Sequence, residues 1–138
     1  MPDGSGHKGV VLILAREFAS RLATPMFIGD AQGRVVFYNE PAEKVIGRTF
    51  SEAGELDPAA WGALLHIEDL DGNPLSLEAR PSGIALLEHR PSHRLMRITG
   101  VDGVKRVVSV TAFPLFAHED EAVGIVLIFW EEPDPPRR

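Results

Sequence analysis

The residues able to do chemistry in this chain do not converge. His66, Glu68, Asp69 and Asp71 cluster in sequence, and a metal centre would need such groups within about 2 Å of one ion. They run into Gly72, Asn73 and Pro74, all turn formers, so the stretch reads as an exposed polar loop. His89 and His93, with Glu88, meet the same test with the same result; His89 reads as a solvated cation at a helix end. His118 with Glu119, Asp120 and Glu121 reads as a solubilising turn. Nucleophilic catalysis would need a Ser or Thr held by a base. Ser109 and Thr111 fall on a strand face predicted to point outward, and chain order implies no histidine beside them. Residues 100–103, GVDG, lack the following helix that a phosphate-cradling loop requires. The chain has no cysteine, which excludes disulfides, thiolate metal sites and cysteine nucleophiles and fits a reducing cytoplasm. Nothing here points to an enzyme, and no metal site is expected.

The elements that would position these groups are those of one small domain. The chain has 138 residues, 44% of them hydrophobic, enough for a core. A net charge of −6 without a basic patch argues against nucleic-acid binding. Residues 10–15, VVLILA, are cut short by Arg16 and Glu17, far from the roughly 18 apolar residues of a membrane span. Residues 1–9 are Gly-rich and polar and read as disordered; Met1 reads as a natural start. Residues 10–23 read as a helix with one apolar stripe, Val11, Leu14, Ala15, Phe18 and Leu22. Its first turn is apolar beyond that stripe, at Val10, Leu12 and Ile13. The helix either tucks against its own sheet or makes a dimer contact. Asp57-Pro58 signals a helix start, with Trp61, Leu64 and Leu65 as its apolar side. Residues 81–89 form another, with Ile84, Leu87 and Ala85 facing in. Strands follow near residues 94–99, 104–114 and 122–130, the first hairpin turning at Asp102-Gly103. Residues 133–138 form a polar, Pro-rich tail.

Residues 26–47, MFIGDAQGRVVFYNEPAEKVIG, are the most specific stretch. A short apolar strand meets the turn Asp30-Ala-Gln-Gly33, and a β-branched, aromatic strand follows. Asn39 is placed to cap a helix whose first turn holds Pro41 and which ends at Gly47. This segment resembles the opening of a PAS domain at Asp30, Gly33, Asn39, Ala42 and Gly47. The order of elements is similar to that family's over residues 24–132. The resemblance implies an α+β fold: a five-stranded antiparallel sheet in order 2-1-5-4-3, short helices on one face and an N-terminal flanking helix.

Strand alternation then suggests which side chains face a pocket. Met96, Ile98, Val108 and Val110 fall inward, and aligning to the PAS pattern adds Phe27, Val35, Phe37, Val126 and Ile128. Gly29 and Gly124 fall on that side too. Ile125, Leu127 and Phe129 would face the N-terminal helix or a second subunit. This inward set carries no charge and almost no hydrogen-bonding group, so a bound molecule would be mostly apolar, such as a fatty acid. Alternatively the same side chains fill the space themselves. Haem and flavin are disfavoured. Light-sensing relatives use a cysteine that this chain lacks, and haem-binding relatives place a histidine where this chain has none, in residues 77–82. His66 could serve only if the helices were rearranged.

The resemblance also implies a function without catalysis: a sensory, signal-transducing module that binds a small apolar ligand or signals by homodimerisation. The alternative is a ligand-free docking module. The expected dimer or partner surface comprises Val10, Val11, Ile13, Leu14, Phe18, Ile125, Leu127 and Phe129. A histidine kinase or transcription regulator in trans is the expected partner. Glu131 occupies the position at which many PAS domains pass their signal on.

Overall fold

The structure, a computed structural model, describes residues 5–54 and 57–133. Helix α1 (Ser5–Ser20) leads into strands β1 (Met26–Asp30) and β2 (Val35–Tyr38). Helices α2 (Glu40–Ile46), α3 (Phe50–Ala53) and α4 (Pro58–Leu65) follow, then a 3-10 turn at Leu77–Ala79 and helix α5 (Pro81–Glu88). Strands β3 (Ser92–Thr99), β4 (Lys105–His118) and β5 (Glu121–Glu132) complete an antiparallel sheet of order β2-β1-β5-β4-β3. The sheet order is the one that the family resemblance implies.

The local signals around Asn39 work as chemistry dictates. Its side-chain oxygen accepts from Ala42 N at 3.2 Å and from Met26 N at 3.0 Å. Its amide nitrogen donates to the carbonyls of Ala19 and Thr24, each at 2.9 Å. One buried amide thus ties the end of α1, the start of β1 and the start of α2. Gly47 closes α2 at φ +85°, a conformation that side chains with a Cβ resist, and its amide donates to Glu43 O at 2.8 Å. Asp30 accepts from Gln32 N and Arg34 N, setting the β1–β2 turn.

Two layers of core lie on the two faces of the sheet. On the front, Phe27, Val35, Tyr38, Met96, Ile98, Val108, Val110 and Phe129 pack against Ile46 of α2 and Trp61 and Leu65 of α4. Ala85 of α5 packs on Ala112 and Ile125. On the back, Met26, Ile28, Val126 and Ile128 carry α1 through Leu12, Ala15, Ala19 and Leu22.

Several expectations require correction. Helix α1 begins at Ser5, so residues 5–9 are helical rather than disordered; residues 1–4, and the tail from 134 on, lie outside the described residues. Its sheet-facing row runs through Leu12, Ala15, Ala19 and Leu22, and Leu14 and Phe18 point to solvent. Both rows are apolar, so periodicity alone could not say which one the sheet would take. On α5, Leu87 is exposed and Leu86 faces in. Helix α3 opens on a Thr-x-x-Glu signal, Thr49 Oγ1 accepting from Glu52 N at 3.2 Å and donating to Glu52 Oε1 at 2.9 Å, whereas the 3-10 turn has no side-chain cap.

Candidate functional site: an apolar cavity with a buried arginine

A cavity of about 80 Å³ lies between the sheet front and helices α2, α4 and α5. The sheet supplies Phe27, Val35, Met96, Ile98, Val108 and Val110, together with Ile125, Leu127 and Phe129. The helical side supplies Ile46, Trp61, Leu65, Leu77, Arg80, Ser82 and Leu86. Phe27 stands at the centre of an aromatic cluster, its ring 5.1 Å from those of Tyr38 and Trp61 and 5.3 Å from that of Phe129. Much of the space is therefore occupied by the protein's own rings.

Phe37, Val126 and Ile128, expected in this wall, lie on the back face under α1. Ile125, Leu127 and Phe129, expected on the back, line the cavity instead. The cause is strand register. Phe27 pairs with Leu127 and Ile28 with Val126, and paired residues share a face. Strand β5 is apolar on both faces, so its own pattern carries no phase. For Phe37, a bulge between Ile28 and Gly29 sets Val36 as an extra residue, which brings Val35 and Tyr38 to the front and leaves Phe37 behind. There the Arg16 guanidinium sits 4.8 Å over the Phe37 ring.

The wall is not free of charge. Arg80, at the start of α5, is 8% exposed and lines the cavity. It also lines an adjoining groove of about 380 Å³, with Ala59, Gly62, Ala63, His66, Glu68 and Pro74. The guanidinium lies across Gly62 of α4: a Cβ built there would stand 2.9 Å from Nη2 and 3.2 Å from Nη1. Glycine at position 62 is what gives the guanidinium its seat. Burial pulls the Arg80 pKa below the ordinary arginine value, partly opposed by the charge of Glu78. Among the described residues, neither its buried Nε nor the buried Nε1 of Trp61 has a hydrogen-bond partner. Arginine 80 was missed because strand alternation surveys only the sheet, and this residue enters from the helical side. The signal available was an arginine directly before the helix-starting Pro81, where its side chain falls at the helix entrance.

The remaining reactive groups do not gather at the cavity. Among the described residues, no group of three or more His, Cys, Asp or Glu could hold a metal ion. Asp69 accepts from Asp71 N and Asn73 N and from the Asn73 amide, and the Asn73 backbone bond leads in holding its carboxyl below the usual value. His66 caps α4 at φ 46° and faces the groove rather than the inner cavity. His93 does meet Ser109, contrary to expectation: Nε2 lies 2.6 Å from Oγ across the β3–β4 pair, with Trp130 stacked on the ring. Among the described residues no carboxylate orients that imidazole, and the pair lies on the back face, apart from the cavity.

Glu131 ends the front row of β5 and meets Arg106 Nε at 3.8 Å. Arg106 also donates to the carbonyl of Val45 in α2 at 3.1 Å. Among the described residues no helix is long and apolar enough to cross a membrane.

These features can be set against known proteins. No family model matches the chain, and no curated protein matches it in sequence. Solved structures do match. A PAS domain from Colwellia psychrerythraea superposes with a TM-score of 0.64 at 15% identity, covering 88% of this chain and 97% of that one. The PAS domain of nitrogen regulation protein NR(II) from Vibrio parahaemolyticus gives 0.60 at 14%, covering 86% and 98%. The fold is that of a PAS domain. A LOV protein from Rhodobacter sphaeroides gives a TM-score of 0.67 at 13% identity, covering 92% of this chain and 68% of that one. Another similar structure is of a light-oxygen-voltage domain studied with a flavin analogue. The PAS cavity of this chain does not fit a flavin. An apolar cavity of roughly 150 Å³ takes a single benzene ring, and three fused rings exceed the 80 Å³ present.

Proposed function

We propose that this PAS-fold chain is a sensory module that takes up a small, largely apolar molecule and signals through a homodimer, without catalysis. The observation that carries this reading is the apolar hollow between the sheet front and helices α4 and α5, bounded by rings rather than by reactive groups. PAS domains similar in fold come from regulatory proteins, among them a two-component sensor histidine kinase. A kinase or transcription regulator acting in trans is the corresponding partner. Occupancy that favours one arrangement of α1 over another is what would drive the signal, since only differential affinity shifts such a balance. Glu131, bridged through Arg106 to α2, stands where that change leaves the sheet. Native mass spectrometry of protein purified from cells tests the reading. A mass above that of the 15.1 kDa chain supports it. A bare chain, together with no thermal stabilisation by apolar additives, counts decisively against it.

A second reading, a docking module with no ligand, has its own observation. Val10, Ile13, Leu14 and Phe18 of α1 are all more than half exposed, on a helix whose other face is already packed. That ridge offers a contact surface whether or not the cavity is filled.

A further inference from the structure

We propose that the cavity recognises a monocarboxylate with a compact apolar body, its carboxylate held by Arg80 and its body seated against Phe27, Trp61 and Phe129. This deepens the ligand-sensor reading and rests on it. The argument begins with what is left unpaired. Arg80 and Trp61 are 8% and 5% exposed, both line the cavity, and among the described residues each has a buried N–H without an acceptor. Both groups only donate hydrogen bonds. A molecule that satisfies them must therefore bring acceptors, which excludes ammonium ions and pure hydrocarbons.

Charge narrows the choice. Arg80 is the one charged residue lining the cavity among the described residues. A single buried guanidinium is neutralised by one negative charge, so a carboxylate matches it where a doubly charged phosphate would leave an excess. The planar fork of the guanidinium also suits two carboxylate oxygens. Size narrows it further. The inner space of about 80 Å³ is roughly half of what one benzene ring occupies, so it admits a body of a few carbons rather than a ring or a long acyl chain. Arg80 also borders the outer groove, so the head of the molecule would lie towards solvent and its body inward.

The test compares acids with neutral counterparts of similar shape. Propionate and butyrate, propanol and butanol are titrated at pH 7.5 into the full chain, followed by the indole N–H resonance of Trp61 and by calorimetry. The acids should bind about tenfold or more tightly than the alcohols, as a charge-assisted pair implies. Arg80→Gln should abolish that preference while alcohol affinity persists. Gly62→Ala, which keeps the charge but displaces it, should reduce the preference, and circular dichroism should show both variants folded. Equal binding of acids and alcohols by the unaltered chain would overturn the carboxylate inference and leave a ligand sensor standing. So would an acid preference that survives Arg80→Gln. Failure of all four probes to bind would overturn both.

Discussion

Asn39 commits every hydrogen-bonding position of its amide to a different neighbour, and its replacement should be correspondingly costly. Asn39→Ala removes a helix cap, leaves the buried Met26 amide and the half-buried Thr24 carbonyl without this partner, and leaves the Ala19 carbonyl only its bond from Leu22 N. A loss of about 2–4 kcal/mol in urea unfolding is expected, the cap and the orphaned groups together. Arg80 presents the opposite case. Among the described residues its buried charge forms no ion pair and feels only the charge of Glu78, so Arg80→Met should stabilise the fold by about 1–3 kcal/mol in the same measurement. Tyr38, the only tyrosine, is fully buried and donates to Arg48 O at 2.8 Å. Burial, aided by the nearby Glu43 charge, pushes its phenol up to about 12. Between its ordinary value of 10.0 and about 12 the unfolded chain loses this proton while the folded chain keeps it. Stability therefore falls as pH rises through that window, and Tyr38→Phe should remove that part of the decline in unfolding curves taken from pH 9 upward. The phenol of the folded protein should stay protonated beyond pH 10 in ultraviolet titration.

At the scale of elements, the two faces of the sheet can be separated experimentally. Ile28 is fully buried beneath α1, and Ile28→Ala should cost about 2–5 kcal/mol. Ile13→Glu, on the ridge that is 63% exposed, should leave the unfolding midpoint nearly unchanged. If α1 mediates self-association, the same variant should run as a monomer in size-exclusion chromatography with light scattering. A dimer that persists would move the contact off α1. The contrast also explains what was legible in the residues. Asn39, Pro41 and Gly47 marked α2 because caps depend on side-chain chemistry local to the helix. Polar alternation in β3 and β4 placed Met96, Ile98, Val108 and Val110 towards the cavity. In β5 and α1 no polar residue breaks the apolar run on one side, and the phase comes from partners distant in sequence. The pairing of Phe27 with Leu127 decides it for β5. Arg80 was invisible for a related reason: its depth depends on a seat at Gly62, which only the packing of α5 against α4 creates.

Across the whole molecule, three kinds of surface meet on one sheet. The front holds the cavity, the back holds α1, and the β3 side of the back carries His93, Ser109 and Trp130. Binding of a small acid at Arg80 should raise the thermal midpoint of the entire domain, since anything bound only by the folded state stabilises it by mass action. That rise should vanish in Arg80→Gln, as differential scanning calorimetry would read directly. Alternate residues of β5 reach opposite ways: Ile125, Leu127 and Phe129 into the hollow, Val126 and Ile128 onto the N-terminal helix. Hollow and helix are thus separated by a single thickness of backbone, which acts as a diaphragm. A guest that bowed this thin partition from one side would lift whatever rests behind it, and news of its arrival would have only one strand to cross.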